Sequence, residues 1–416
     1  MELIKSEVFA LRPVLKEIAE EHGVLILQDY IRGWKIPKAE PDPVFLECFF
    51  SVVNRIFGKE IASQARNQLA QKPLVSTIDH HGIWNHPIFV NSALIYSLFF
   101  NDNELVITLP TESVSLNNTS SWSGCLLMSQ SDGNLKRFSF FPDRLKTLPV
   151  FAVPPITSGW VEKLSEQVPT ELRGLLEALD IKNILGMKDF STQASLLSFN
   201  FWKKIFPSAP RLIYCPLETL VSEYLLKIFE DPNHALTRLV TTAQGRELWR
   251  EHFENEHTFM FWRLDAKGRR QSLSDLEENL DRLKESIKNK QIYPSSPLCF
   301  AVLLYAGVAA VGGFTQTTWL TGVKQELMEI LKKLDPKKAI KHIFTKNFAE
   351  SALATLPANG KQFASAVDLW LKGKDKYAVY KAQATKMTLG QSLDLAMPII
   401  HRVVVGSKLN VRKNES

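Results

Sequence analysis

The chain has 416 residues, enough for one large elaborated domain or two smaller ones with ample core. Its 45% hydrophobic and 23% charged residues are typical of a soluble globular protein. The net charge of +6 is mild, and the basic residues toward the C-terminus lack the interleaved aromatics of a surface for single-stranded nucleic acid. We therefore expect a solvated helical face there, with tolerance of anionic ligands as the alternative, and find no strong nucleic-acid signal.

Targeting and redox signals are also weak. Met1 to Glu21 is charged and amphipathic and has no apolar signal-peptide core, and the longest apolar run, Leu298 to Phe314, is too short to span a bilayer comfortably. The four cysteines are scattered with no C-x-x-C pair, which favours neither a zinc site nor a disulfide framework. We expect a reduced, cytoplasmic setting and no membrane partner.

The first half of the chain alternates helices with short apolar strands. Helices are predicted over Leu3–Ala19 and, behind a Pro-Asp-Pro start signal, Val44–Ala70. The run Leu74–Ile78 predicts a buried parallel strand, and a helix begins at Pro87 because proline suits the first helical turn. Glu104–Leu109 predicts the next strand.

A hairpin and a further strand are predicted next. Cys125–Gln130 and Leu135–Phe141 flank a Ser-Asp-Gly-Asn turn, which is typical of a β-hairpin. Val150–Ile156 predicts another strand, and Ser158 begins a mostly helical region that extends to residue 206. Arg211–Cys215 then predicts a strand leading into a helix.

The second half is predicted to be mainly helical. Its predicted elements are helices Leu217–Phe229 and His234–His252, a strand over Thr258–Asp265, a helix Leu276–Lys290 that starts at the capping-box pair Ser274 and Glu277, a buried apolar block to Val311, and a helix that ends near Leu334. The remainder is predicted to be helical, with Pro398 interrupting one segment.

This order predicts an α/β fold with a Rossmann-like three-layer core, a parallel sheet and large helical insertions. We divide the chain into an N-terminal helical segment (1–72), a first half of the core with a hairpin (73–157), an insertion of helices and one β–α unit (158–290), a second core part (291–335) and a C-terminal helical segment (336–416).

The most informative stretch is the turn between the first predicted strand and its helix, where Asp79, His80, His81 and His86 lie close together. Such a turn lies at the carboxyl edge of a sheet, where open α/β folds bind ligands, and the helix start favours an anion. We expect a nucleotide or phosphate site. Two alternatives stay open: a histidine that only caps the helix or fills a polar gap, and a metal site, although the spacing is not that of zinc peptidases.

Two more polar segments follow strands or the apolar block, Thr111–Asn118 and Gly312–Trp319, and we expect both to converge with the histidine turn. The pair Gly312-Gly313 lets the backbone approach a ligand closely or simply makes a tight turn. Glu112 could hold a substrate amine or a metal, act as a general base, or cap a helix or turn.

The sequence has no P-loop, no G-x-G-x-x-G and no G-x-S-x-G, so ATP would have to bind in another way and a serine hydrolase is disfavoured. The pattern H-G-x-x-x-H at His81, Gly82 and His86 resembles the HIGH-type signature of class I aminoacyl-tRNA synthetases and related nucleotidyltransferases. In that class the histidines stabilise phosphates while a carboxylate attacks.

A wider resemblance spans about residues 70 to 335. The chain resembles the bacillithiol-synthesis cysteine-adding enzyme family (BshC), a ligase family with a HIGH-type Rossmann-like core. The residues that match its patterns in register are Thr77, Gly82, Ile83, Trp84, Pro87 and Phe89 in the first motif, and Gly312, Gly313, Gln316, Trp319 and Lys324 in the second. The strand before Glu112 and the turn from Phe261 to Arg270 are also similar.

The chain departs from the family pattern in several places. Histidines stand where the family has glutamines, Ala93 replaces a lysine, and Gln316 stands where a glutamate is usual. An acidic–histidine cluster is reduced to the four residues that begin at Glu112, and no long heptad segment matches the family's coiled-coil arm.

The resemblance implies an ATP-dependent ligase that joins an amino acid to an amine-bearing small molecule, with magnesium left open. The alternatives are an adenylate-forming nucleotidyltransferase and a non-catalytic nucleotide- or partner-binding protein. We assign catalytic roles to His81, His86 and Glu112, cofactor contacts to His80, Gly82, Asn85, Pro87, Gly312 and Gly313, and substrate contacts to Thr77, Trp84, Asn117, Asn118, Gln316, Trp319 and Lys324. No metal ligand is assigned.

Overall fold

The structure is a computed structural model that describes residues 1–36, 40–118, 121–253, 259–273, 279–337, 345–356, 362–373 and 375–414 (side chains to residue 405). Its strands are β1 (Leu74–Ser76), β2 (Leu105–Thr108), β3 (Cys125–Ser129), β4 (Leu135–Ser139), β5 (Arg211–Tyr214), β6 (Phe261–Leu264), β7 (Arg270–Ser272), β8 (Ile292–Pro294), β9 (Ala309–Val311), β10 (Thr355–Leu356) and β11 (Gln362–Phe363).

Helices make up most of the rest. They are α1 (Glu2–Leu11), α2 (Pro13–His22), α3 (Leu27–Arg32), α4 (Pro43–Phe57), α5 (Lys59–Gln71), α6 (Pro87–Ser97), α7 (Ser158–Gln167), α8 (Thr170–Ala178), α9 (Ile181–Ile184), α10 (Phe190–Ile205), α11 (Leu217–Ile228), α12 (Ala235–Thr241), α13 (Ala243–His252), α14 (Leu280–Lys288), α15 (Ser296–Tyr305), α16 (Gln316–Leu334), α17 (Ala366–Leu371), α18 (Tyr377–Ala384) and α19 (Leu389–Asn414).

The centre of the fold is a parallel sheet with the strand order β5-β2-β1-β9. Ser76 lies opposite Thr108 on one side and opposite Val311 on the other. The chain moves outward from β1 through β2 to β5 and then crosses to the other side of β1 to form β9, so the order reverses between β1 and β9. In open parallel sheets such a reversal leaves a crevice at the carboxyl ends of the two strands.

The sheet is buried, as its apolar sequence predicts. Every residue of β1, β2 and β9 is buried, which is typical of parallel strands covered on both faces. Helix α6, which follows β1, and helix α15, which precedes β9, are also buried around nearly their whole circumference. A helix that is apolar on all sides belongs in a core rather than at a surface.

Smaller antiparallel units surround this sheet. Strands β3 and β4 form the predicted hairpin, with Cys125 opposite Ser139, while β7, β6 and β8 form a three-stranded sheet and β10 pairs with β11. The mixed α/β fold class, the parallel strands β1, β2 and β5, and the helix starts at Pro87 and Ser158 are therefore confirmed.

Several predicted elements are wrong in detail, each for a local reason. The first helix is two, because Pro13 has no N–H to continue the helix and begins α2. The second is interrupted at Gly58, whose positive φ of 85° ends α4. The predicted helix His234–His252 is broken at Thr242, whose extended backbone and side chain cap α13.

Two larger corrections concern sheets. Val150–Ile156 is not a strand but starts with a 3₁₀ turn at Val150–Ala152. The C-terminal segment is not helical throughout, because β10 and β11 lie within it and Phe348 pairs in parallel with Gly312. The predicted capping box at Ser274 and Glu277, the start of its helix and Thr258 lie outside the described residues.

Two findings bear on the general class of the protein. Among the described residues no helix is both long enough and apolar enough to cross a membrane. All four cysteines are buried and none is in a disulfide.

Candidate active site at the carboxyl edge of the sheet

The three polar segments predicted to converge do lie side by side. The His81 N–H donates to the Thr111 carbonyl at 2.8 Å, and the Thr111 N–H donates to the Asp79 carbonyl at 3.3 Å. On the other side of β1, the Thr77 N–H donates to the Val311 carbonyl at 3.2 Å. The histidine turn after β1 therefore lies between the polar segment after β2 and the glycine turn after β9.

The histidine and glycine turns are joined directly by Thr77 and Gln316. The Gln316 side-chain amide donates to the Thr77 carbonyl at 2.6 Å, and the Thr77 hydroxyl lies 3.3 Å from Gln316 Oε1. Thr77 is fully buried, whereas Gln316 is only partly buried at the start of α16. Because β1 and β9 flank the reversal of strand order, this pair lies at the predicted ligand-binding crevice.

His81 is not available as a surface-facing ligand group. Its side chain has 0% exposure, its Nδ1 accepts from the Gly82 N–H at 2.8 Å, and its Nε2 lies 3.4 Å from the Ser195 hydroxyl. Burial lowers the pKa of His81 to about 3, so the ring is neutral at neutral pH. The contacts assign the ring proton to Nε2 and make His81 an anchor of the turn.

His86 fulfils the alternative that a histidine caps the helix. It is the N-cap residue of α6, and its Nδ1 accepts from the Ile88 N–H at 3.4 Å. Its ring and that of His80 both lie against Phe89, with centroid distances of 5.4 and 5.6 Å. Burial lowers the pKa of His80 to about 4 and that of His86 to about 3, and the proximity of His80 contributes to the latter.

These shifts change the electrostatics that the sequence suggests. Neutral imidazoles donate or accept hydrogen bonds but bring no positive charge to a phosphate. His80 is the only one of the three that is partly exposed.

The histidine turn is held by a row of serines on α10. Ser191, Ser195 and Ser198 are spaced at i, i+4 and i+7, so they lie on one face of the helix. Ser195 contacts His81, and Ser198 donates to the Gly82 carbonyl at 3.1 Å and accepts from the Trp84 N–H at 2.9 Å.

Gly82 is required by two constraints at once. Its φ of 151° lies in the region that favours glycine, and a Cβ built there would be 2.4 Å from Ser123 Cβ. The next N–H, that of Ile83, donates to the Ser123 carbonyl at 2.9 Å. Gly82 therefore allows the turn to lie against the Ser123 backbone.

Three other predicted site residues are part of the core. Trp84 is 1% exposed, and its ring meets Trp202 edge-on at 5.1 Å. The Asn85 side chain donates to the Cys125 carbonyl and accepts from the Val367 N–H, both at 3.3 Å. Pro87 is the buried first residue of α6. Their contacts in the structure are with protein, not with an open crevice.

Glu112 is part of a buried pair of carboxyl groups. Its Oε1 accepts from the Ser191 hydroxyl at 2.6 Å and its Oε2 accepts from the Thr219 N–H at 2.9 Å, so it caps the start of α11. Glu218 accepts in return from the Glu112 N–H at 2.6 Å and the Ser113 N–H at 3.1 Å. Burial raises the pKa of both carboxyls, that of Glu218 to about 7.

The glycine turn is shaped by a carboxyl group from another segment. A Cβ on Gly313 would lie 2.2 Å from Glu350 Oε1, so a side chain at this position would displace the Glu350 carboxyl. Glu350 Oε2 accepts from the Phe314 N–H at 3.2 Å, and burial raises the pKa of this carboxyl to about 7. A Cβ on Gly312 would lie 3.0 Å from the backbone nitrogen of Thr317, so Gly312 lies close against the first turn of α16.

The remaining predicted substrate residues lie farther out. Trp319 packs edge-on against Phe300 at 4.9 Å, and Lys324 is eight residues along α16 from Gln316, about 12 Å at the rise of an α-helix. Asn117 is exposed and lines a separate cavity of about 160 Å³, while the Asn118 carbonyl accepts from two N–H groups of its own turn.

Sequence reasoning missed Glu218, Glu350 and the serines of α10. Glu218 follows a predicted strand, so the argument that singled out Glu112 applies to it equally. The serines at i, i+4 and i+7 form a polar stripe on an apolar helix, and their spacing can be seen in the sequence. Glu350 had no such signal, because its segment was predicted to be helical.

One acidic side chain thus accompanies each strand end of the parallel sheet. Asp79 follows β1, Glu112 follows β2, Glu218 follows β5, and Glu350 lies at the turn after β9. Each is at most 8% exposed, and burial raises the pKa of each. Asp79 accepts a hydrogen bond from the Tyr214 hydroxyl. Within the described ranges, no three His, Cys, Asp or Glu side chains are grouped so as to hold a metal ion.

Comparisons with known proteins give no relative for this chain: no family model matches it, and no curated protein or solved structure is significantly similar to it.

Proposed function

We propose that the chain is an ATP-dependent ligase that joins an amino acid to an amine-bearing small molecule and binds its nucleotide between the ends of β1 and β9. The observation that carries this proposal is the contact between Thr77 and Gln316, which joins the two turns where the strand order reverses. Ligands of open α/β sheets bind in that crevice.

The topology supports a Rossmann-like interpretation of the core. Counted along the chain, the parallel strands are arranged third, second, first and fourth, which is the order of the first four strands of a Rossmann sheet. The residues that resemble the BshC family lie in the turns after β1 and β9 and in the helices that follow these turns, α6 and α16.

The roles of individual residues differ from those that the resemblance implies. His81 and Glu112 position the turn and α11 through buried contacts, so they act on a ligand only through their neighbours. The groups that remain for the nucleotide are the partly exposed His80 and the start of α16. A helix start contributes backbone N–H groups and a positive dipole end without any charged side chain.

Thermal unfolding with ATP, ADP and the common amino acids tests the proposal. A ligand that binds only the folded protein raises its melting temperature, so ATP should raise it and one amino acid should raise it further. Consumption of ATP only when amino acid and amine are both present would identify the ligase. If no nucleotide changes the melting temperature, the proposal is wrong.

A second candidate is a non-catalytic nucleotide- or partner-binding protein. The observation that favours it is that His81, His86 and Glu112 are all engaged in structural hydrogen bonds. Binding of ATP without turnover of any amino acid would support this candidate over the ligase.

A further inference from the structure

Glu350 reaches the glycine turn from a segment that extends the parallel sheet. The Gly312 N–H donates to the Asn347 carbonyl at 3.1 Å, and the Ala349 N–H donates to the Gly312 carbonyl at 3.4 Å. Phe348 pairs with Gly312 in the parallel sense. The segment therefore lies beside the end of β9 and carries Glu350 to the carboxyl edge.

The Glu350 carboxyl is buried with little compensation. It is 8% exposed, and the one hydrogen bond it makes to a described residue is the 3.2 Å contact from the Phe314 N–H to Oε2. Among the residues that the structure describes, no lysine, arginine or histidine forms an ion pair with it. Burial of an ionised carboxylate without a cation is unfavourable, so this group is suited to receive one.

The residue next to Glu350 also has unused hydrogen-bonding capacity. The hydroxyl of Ser351 is buried and has no hydrogen-bond partner in the described part of the chain. Such groups are rare in folded proteins and are usually completed by water or a ligand. A hydroxyl oxygen can accept a hydrogen bond from an ammonium, which only donates.

We infer that Glu350 binds the ammonium group of an amine substrate at the Gly312–Gly313 turn. An ammonium supplies both the missing charge and up to three donors, and the absence of a side chain at Gly313 leaves Oε1 against the backbone of the turn. The inference rests on the proposed function for the identity of the substrate class. It assigns the amine contact to Glu350 in place of Glu112, whose oxygens are already occupied.

The test compares wild type with Glu350→Gln, which keeps an acceptor for the Phe314 N–H but removes the charge. The probes are the common amino acids, their N-acetyl forms, ethanolamine and ATP, each measured by thermal shift and calorimetry. Binding of an amino acid would assign the site to the ammonium of the amino-acid substrate, whereas binding of ethanolamine would assign it to the ammonium of the acceptor amine. Glu218→Gln is the matched control, since it removes another buried carboxyl at the same edge.

We expect an amine to bind wild type and Glu218→Gln, its N-acetyl form to bind neither, and Glu350→Gln to bind the amine about tenfold to hundredfold more weakly. Glu350→Asp, which keeps the charge on a shorter side chain, should recover part of the loss. ATP should still raise the melting temperature of Glu350→Gln, because this variant leaves the start of α16 in place.

Failure of this inference and failure of the proposed function give different results. Equal amine affinity in wild type and Glu350→Gln, equal binding of N-acetyl forms, or no amine binding at all would overturn the role of Glu350 even if ATP binds. Glu350-dependent amine binding without any ATP binding would support the amine site and reject the ligase.

Discussion

Glu112 and Glu218 cap each other's segments: Glu218 accepts from the Glu112 N–H at 2.6 Å, and Glu112 accepts from the N–H of Thr219 at 2.9 Å. The exchange ties the end of β2 to the start of α11. It also places two carboxyl groups in a buried site, where the negative charge of one disfavours ionisation of the other.

The pair should make stability depend on pH. The pKa of Glu218 is about 7 in the folded protein and near 4.5 when exposed. Between these values the folded state binds more protons, so this group's contribution to the free energy of unfolding falls as pH rises, by at most about 1.4 kcal/mol per pH unit. Glu218→Gln removes this contribution, so the free energy of unfolding of the variant relative to wild type should rise from pH 4.5 to pH 7.

Urea unfolding at several pH values measures this difference. Glu230→Gln, at an exposed glutamate just beyond α11, controls for loss of a carboxylate in general. A difference between Glu218→Gln and wild type that stays constant with pH would contradict titration of Glu218 in this range.

Gly82→Ala should destabilise the fold strongly. The new Cβ would lie 2.4 Å from Ser123 Cβ, and the φ of 151° would be strained for alanine, which together should cost about 3 kcal/mol. Gly174→Ala is the matched control, because it lies in α8 with open space around it and should stabilise by up to about 1 kcal/mol. Chemical unfolding of both variants checks the prediction; equal stabilities would contradict it.

His86→Asn should preserve the cap of α6, whereas His86→Ala should lose about 1 kcal/mol, because asparagine is a good N-cap residue and alanine is not. The pKa of His86 is about 3 in the folded protein, so the unfolded state takes up a proton as pH falls below 6.5 and the folded state does not. Wild type should therefore lose stability on acidification from pH 6.5 to 4.5 more steeply than His86→Asn. Parallel pH profiles would count against this shift.

Thr315→Glu should locate the nucleotide. Thr315 is exposed at the start of α16, where its side chain makes no cap hydrogen bond, so a carboxylate there is compatible with the helix dipole. It should nevertheless repel triphosphate in the crevice and weaken ATP binding about fivefold at low salt. Gln325→Glu adds the same charge about 15 Å farther along α16 and should leave the affinity unchanged. Titration calorimetry with ATP would show both results; equal affinities would place the nucleotide elsewhere.

The local elements could be predicted from the sequence because their signals are local. The apolar run Leu74–Ile78, the proline at the start of α6 and the turn residues between β3 and β4 each act within a few residues. The fourth strand could not be separated from the helix before it, because β9 has only three small residues inside one continuous apolar block.

Only part of the candidate site could be predicted from the sequence. Strand ends on neighbouring strands must converge, so the histidine, Glu112 and glycine segments could be placed together. The sequence could not show which polar groups are used up internally, because the partners of His81 and Glu112 lie 114 and 107 residues away.

The sequence by itself determined the strands β1, β2 and β5, the β3–β4 hairpin, the helix starts at Pro87 and Ser158 and the presence of polar residues after the strands, since period, caps and turn residues act over short distances. The tertiary structure decided the order of the sheet, the burial that keeps the histidines neutral, and the approach of Glu350 to Gly313. Those features depend on segments far apart in the chain, and a side chain's charge and hydrogen bonds follow from the neighbours that folding brings to it.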